Sequence, residues 1–334
     1  MTTPRLTKDQ LVTVFGGSGF LGRYVVQTLA RRGYRVRAAV RRPDLAQSLQ
    51  PMGSVGQVHA VQANLRFPDS VRSAMVGAGT AINLVGILQE SGRQTFSALQ
   101  TEGAEAVARA ASEVGARMIQ ISAIGADPEA QAQYGRTKAE GEARVFSVKP
   151  DAVVFRPSIV FGPGDGFFSR FATLARVFPV LPIAASDTRF QPVFAGDVAE
   201  AIARAVDGDV AGGKIYELGG PAVYSFRELV EYVLEVTERR RMIAALPDGA
   251  ARLQAGITEF LDKISFGLMP DDLVLTRDQL LMLARDNVVS EQAIAEGRTL
   301  EGLGITPSAV EAIVPSYLKR FRKRGQYESR DVGT

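Results

Sequence analysis

The sequence predicts an α/β fold, a doubly wound parallel sheet with helices on both faces and a smaller, mostly helical C-terminal lobe. Three observations carry this. Strand-like and helix-like patterns alternate through the first half of the chain, the order that builds such a sheet. Glycines recur as Gly16-x-x-Gly19-x-x-Gly22 between a short apolar strand and a helix-patterned stretch. That is the Rossmann-type setting in which a glycine-rich turn binds a dinucleotide. At 334 residues the chain can bury one nucleotide-binding domain and a second lobe.

The elements follow in order. Leu11–Phe15 is the first strand, apolar and bounded by the glycine turn. Phe20–Arg32 is a helix with Phe20, Leu21, Tyr24, Val25 and Leu29 on one face, and Gly33 ends it. Arg35–Val40 and Val58–Gln62 are the second and third strands. Asp69–Val76 is a short helix, Ala81–Val85 the fourth strand, Glu102–Val114 a helix and Met118–Ser122 the fifth strand. Gln133–Phe146 is helical, Val153–Phe155 is the sixth strand, and Ile215–Leu218 is a late one. The dinucleotide domain is expected over residues 1–165, with a return around 192–222. The smaller substrate or docking lobe is expected over 166–191 and 223–330. It takes in Phe167–Phe178 and most of the chain after Ser225, where Phe226–Val236 has Leu229, Val230, Val233 and Leu234 on one helical face.

Composition narrows the chemistry. There is no cysteine, which excludes disulfides, thiolate nucleophiles and cysteine metal sites. The one histidine, His59, lies in a strand and reads as structural, so no metal site is expected. Net charge is only +3, and the basic clusters Arg239–Arg241 and Lys319–Arg324 come without any nucleic-acid module. They read as solvated faces or as a contact with acidic protein or anionic lipid. The apolar stretch Ile243–Met269, with Leu253, Ile257, Phe260, Leu261, Ile264, Phe266, Leu268 and Met269, reads as lobe core or as a docking or membrane-interface surface. No apolar run reaches the roughly 20 residues that span a bilayer. The first strand begins after about ten polar residues, so no signal or transit peptide is expected and the protein should be cytoplasmic.

The candidate site grows from the glycine turn. Gly16, Gly19 and Gly22 let the backbone turn and approach a pyrophosphate, with Phe20 and Leu21 at the helix start, where amides and the helix dipole meet the phosphates. Arg41 and Arg42 end the second strand, where an acidic residue would read a ribose 2′-hydroxyl and an arginine a 2′-phosphate. NADP(H) is therefore preferred, with NAD(H) the other candidate. Asn64-Leu65 after the third strand is placed against the adenine, and Val85-Gly86 lets the chain pass close to the cofactor. Tyr134 and Lys138 stand one helical turn apart on one face. An ammonium there would lower the phenol pKa and make Tyr134 an acid or base near neutrality. Lys138 would also hold the nicotinamide ribose.

With these motifs the chain resembles the short-chain dehydrogenase/reductase superfamily, in its extended, NAD-dependent epimerase/dehydratase-like and atypical branches. Arg156-Pro157-Ser158-Ile159-Val160-Phe161-Gly162-Pro163 is similar to the segment that packs on the nicotinamide there, which implies roles for Pro157 and Ser158. Such enzymes carry a Ser or Thr just beyond the fifth strand to bond a substrate carbonyl. Here Ser122 takes the preceding place and Ala123 the active one; a one-residue shift in the alignment restores Ser122. Leu49–Gln57, Gly19–Val26, Ala81–Gly86, Gln191-Pro192-Val193 with Asp197-Val198-Ala199, Leu275–Asp278 and Leu300–Ile305 resemble the family of NAD(P)H-binding accessory subunits of respiratory complex I and their bacterial homologues. That resemblance implies a complex I subunit or assembly partner with a largely structural NADP(H). With no transit peptide expected, a bacterial member is expected, and the apolar stretch with Arg239–Arg241 allows peripheral contact at the cytoplasmic face of the inner membrane. Relatives in the same branch point to quinone-biosynthesis proteins as partners. The other reading is an NADPH-dependent reductase or epimerase acting on a quinone-related or sugar-nucleotide substrate.

Overall fold

The computed structural model describes residues 10–246, 276–323 and 325. The chain divides into two compact units. One holds the chain through Ser158 with Ala195–Gly219 and Val289–Pro307; the other holds Ile159–Phe194, Gly220–Val288 and the chain from Ser308. Residues 289–307, expected in the smaller lobe, belong to the first unit. Their Arg298 donates to the Ile215 carbonyl, and the Glu217 amide donates to the Arg298 carbonyl at 2.9 Å.

The first unit is built on β1 (Leu11–Phe15), β2 (Arg35–Val40), β3 (Val58–Gln62), β4 (Ala78–Asn83), β5 (Arg117–Ile121) and β6 (Val153–Pro157). A seventh strand, Lys214–Leu218, pairs beyond β6. The spatial order is Lys214–Leu218, β6, β5, β4, β1, β2, β3, and every pairing is parallel. Strands buried on both faces need apolar residues at nearly every position. β1 meets that need, with Val12, Val14 and Phe15 sealed from solvent. The helices α1 (Phe20–Arg31), α2 (Pro68–Met75), α3 (Glu102–Glu113) and α4 (Gln133–Val148) supply the covering faces. Val25, Val26 and Leu29 bury one side of α1, and Val107, Ala108 and Ala111 one side of α3. Small alanines on α3 let the helix approach the sheet closely, as close-packed interiors require. Pro68 opens α2 at a position where its missing amide costs nothing.

β4 begins and ends earlier than the expected Ala81–Val85. Its opening Ala78-Gly79 has little strand propensity of its own and is recruited with Thr80 by pairing with β1. It stops at Asn83, whose side-chain oxygen accepts from the Val85 amide at 3.1 Å and turns the chain. His59 is exposed on β3.

The second unit packs the helices Phe167–Val177, Phe226–Val236 and Val310–Leu318 around a core with Phe161, Phe168, Phe190, Phe226, Leu229 and Val233. Ser225 and Glu228 form a capping box that starts Phe226–Val236. The basic clusters are partly structural. Arg239 donates to the Phe321 carbonyl at 3.0 and 2.8 Å, Arg241 to the Ala175 carbonyl at 2.8 Å, and Arg322 to the Val236 carbonyl at 3.1 Å. Of the stretch Ile243–Met269, residues 247–269 lie outside the described residues, as do Leu275 and Arg324. No helix among the described residues is long and apolar enough to cross a membrane.

Candidate nucleotide-binding site

The sheet order reverses at β1, which pairs β2 on one side and β4 on the other. Doubly wound sheets bind ligands at the carboxyl ends of their strands beside such a reversal. The ends of β1, β2, β4 and β5 carry the glycine turn, Arg41, Val85-Gly86 and Ser122 respectively.

After β1 the chain turns through Gly16 at φ +82°, a left-handed conformation that glycine adopts without steric cost. The Gly16 amide donates to the Ala39 carbonyl of β2 and the Leu84 amide to the Phe15 carbonyl, each at 3.0 Å. These bonds fix the turn between the two neighbouring strands. A Cβ on Gly22 would lie 2.3 Å from the Gly16 carbonyl oxygen, so α1 starts in backbone contact with the turn. Gly19 caps α1 in extended conformation and no side chain caps the first turn. The amides of Phe20, Leu21 and Gly22 are therefore available to an anion, and the turn fits a pyrophosphate.

At the end of β2 both arginines are exposed. Arg41 donates to the Gln94 side-chain oxygen, and Arg42 forms a fork with Asp44 at 2.9–3.2 Å. Arg42 holds the Asp44 carboxyl below the usual carboxylate range. Asn64 is half-buried, and its side-chain oxygen accepts from the Arg66 amide at 3.2 Å. Leu65 is part of the core, against α3, where a Cβ on Gly103 would lie 3.0 Å from it.

The face of α4 carries Tyr134, Lys138 and Glu142 at four-residue spacing. Lys138 is buried; its Nζ donates to the Ile121 carbonyl at the end of β5 (3.4 Å) and lies 5.8 Å from the centre of the Tyr134 ring. A Cβ on Gly86 would come within 3.2 Å of that Nζ, so glycine leaves the ammonium room at the end of β4. Burial pulls the Lys138 ammonium down to about 8, against the attraction of Glu142. Burial likewise pushes the Tyr134 phenol up to about 12. The expected lowering of the phenol by the ammonium is thus overturned. Nζ sits toward the ring, and desolvation favours the neutral form of both groups.

Glu142 is itself buried and accepts two hydrogen bonds from Arg156 of β6, Nε to Oε1 at 2.9 Å and Nη2 to Oε2 at 2.5 Å. Sequence reading singled out neither as a working pair. The four-residue spacing after Lys138 was the available signal for Glu142. Ser122 follows β5, and its buried hydroxyl has no hydrogen-bond partner among the described residues. Its amide donates to the Phe155 carbonyl at 2.8 Å. Such an unsatisfied hydroxyl is costly unless a ligand completes it. Ala123 beside it is half-buried. Pro157 and Ser158 are buried at the end of β6, where the Pro157 carbonyl accepts from the Ile124 amide at 3.1 Å.

Comparison with known proteins adds relatives. The model of the RmlD substrate binding domain matches residues 10–255. The mitochondrial NADH dehydrogenase (ubiquinone) 1 alpha subcomplex subunit 9 of Arabidopsis thaliana is 33% identical, over 94% of this chain and 79% of its own. The ceramide reductase of Caulobacter vibrioides is 32% identical over 57% of this chain and 58% of its own. Among solved structures, the NADPH-dependent quinone oxidoreductase QOR2 of Escherichia coli, complexed with NADPH, superposes with a TM-score of 0.67. It shares 18% identity over 92% of this chain and 99% of its own.

Proposed function

This chain belongs to the family of the alpha subcomplex subunit 9 of NADH dehydrogenase, respiratory complex I, and we propose that it is a complex I-associated subunit or assembly partner holding a largely structural NADP(H). The observation that carries the reading is likeness to such a subunit along nearly the whole chain. The proton chemistry supports it. Burial raises the Tyr134 phenol away from the range of an acid or base near neutrality, and the family alignment, taken without a one-residue shift to Ser122, puts Ala123 where a carbonyl-binding hydroxyl would be needed.

In this reading Gly16, Gly19 and Gly22, with the amides of Phe20 and Leu21, hold the pyrophosphate. Arg41 faces the 2′-phosphate, with Arg42 beside it on Asp44. Asn64 and Leu65 line the adenine side, and Val85 and Gly86 the passage of the cofactor across β4. Lys138 holds the nicotinamide ribose, beside Pro157 and Ser158. A ligand so bound stabilises the fold by mass action whether or not it reacts. The partner is the complex I assembly, met peripherally at the cytoplasmic face of a bacterial inner membrane. Membrane-bound protein that leaves in high salt is the expected fractionation. A chain wholly in the low-salt supernatant of its own host would count against it.

Native mass spectrometry of the purified protein, with acid release of the nucleotide, tests the reading. Co-purified NADP(H) that resists exchange is the expected result; an empty site that exchanges freely would overturn the structural role.

A second reading, a reductase or epimerase acting on a quinone-related or sugar-nucleotide substrate, is favoured by Tyr134 and Lys138 on one face of α4 and by the likeness to a ceramide reductase. The nicotinamide would supply hydride. Tyr134 would move the substrate proton, Lys138 would position the ribose, and Ser122 would bond the carbonyl. Tyr134→Phe separates the readings. Lost biological activity with nucleotide still bound favours the enzyme, and unchanged function favours the structural role.

A further inference from the structure

Arg41 and Arg42 carry the same charge at the end of the same strand, yet they meet different partners. Arg41 donates to the Gln94 side chain, a neutral amide oxygen that it can exchange for a phosphate oxygen at little cost. Arg42 is engaged by a carboxylate. Its Nε reaches both Asp44 oxygens, at 3.1 and 3.2 Å, and Nη2 reaches Oδ2 at 2.9 Å. Pro43 begins the short turn Pro43–Leu45 that folds Asp44 back onto Arg42, so the contact is built into three consecutive residues. A carboxylate offers the guanidinium fork the same planar pair of oxygens that a phosphate offers.

We infer that Asp44 is a specificity-determining residue: it occupies Arg42 in place of the adenosine 2′-phosphate, leaves Arg41 as the working phosphate ligand, and limits the preference for NADP(H) over NAD(H). This rests on the dinucleotide reading above. A 2′-phosphate that recruits Arg42 must displace Asp44 and then lie beside a freed negative charge. NAD(H) lacks that phosphate and is indifferent to the contest. The side chains of Arg42 and Asp44 are 67% and 58% exposed, so the contest is between surface groups and its effect is modest.

Titration of the full-length protein with NADPH and, separately, with NADH, followed by nicotinamide fluorescence, tests the inference. Asp44→Asn should tighten NADPH about two- to fivefold, the range of an exposed ion pair, and leave NADH within about twofold. Asp44→Glu, which keeps the charge, should stay near the parent. Arg42→Gln should change NADPH little on its own and abolish the gain in the Asp44→Asn background. Arg41→Gln should weaken NADPH tenfold or more, as loss of a charge-assisted phosphate contact does. NADPH affinity unchanged in Asp44→Asn would overturn the inference. So would weaker NADH binding, which would make Asp44 a reader of the ribose hydroxyls. A parent protein with no preference between NADPH and NADH would instead sink the NADP(H) reading itself, whatever Asp44 does.

Discussion

Arg156 meets Glu142 inside the first unit, and Arg42 meets Asp44 on its surface, each guanidinium gripping both oxygens of its carboxylate. The geometries are close; the surroundings are not. The inner pair ties β6 to α4 across fourteen residues of sequence, with the Glu142 side chain 5% exposed. The outer pair spans two residues and stands in water. Inside, each partner is the other's substitute for solvent, so removing one strands a charge. Outside, water replaces either partner, and the pair matters through what it keeps Arg42 from doing. Surroundings, more than hydrogen-bond geometry, decide whether such a pair serves stability or selectivity.

The largest effect is expected inside. Glu142→Ala should cost about 3 kcal/mol or more, read as a clear fall in Tm, because Arg156 loses its counter-charge in a poorly solvated place. A fall no larger than that of an ordinary surface substitution would erase the contrast. Replacing both partners, Glu142→Leu with Arg156→Met, should recover most of that loss, since neither member of the pair is left without the other.

Lys138 sharpens the same contrast through pH. Its folded form releases a proton at about 8, against an ordinary value of 10.5. Between those values this lysine binds more proton in the unfolded chain than in the folded one, so its contribution to stability should climb as pH rises from about 8 to 10.5 and hold above. Lys138→Met should flatten the climb in denaturant titrations run across that window. An identical pH profile in the two proteins would show that burial does not govern this lysine. The smallest effect belongs to Asp44→Asn, which should leave Tm unchanged while the NADPH affinity rises.

The sequence shows well what short-range rules decide. β2 and β3 occupy the residues expected, and so does the helix Phe226–Val236, whose start is set by a capping box. The glycine turn is legible because strand, turn and helix lie side by side in sequence. β4 is shifted because Ala78-Gly79-Thr80 becomes a strand by pairing with β1, a partner more than sixty residues away. The site divides the same way. The spacing of Tyr134 and Lys138 is visible in the sequence, but their proton states follow from burial, which the spacing does not reveal. Glu142 and Arg156 lie on a helix and a strand that only the folded unit brings together. Arg42 and Asp44 are near neighbours, and the difficulty there is chemical: a run of two arginines reads as two ligands until one is found already engaged.

The first unit is drawn from three separate stretches, and this bears on how a nascent chain completes it. When β6 leaves the ribosome its outer edge has no neighbour, because Lys214–Leu218 follows only after Ile159–Phe194, which belongs to the other unit. Arg298 and its bonds to Ile215 and Glu217 arrive later still. An uncovered strand edge invites pairing with the wrong chain. Synthesis must therefore shelter β6 through the making of an entire intervening segment, and a chain truncated near residue 165 should leave that edge open for good.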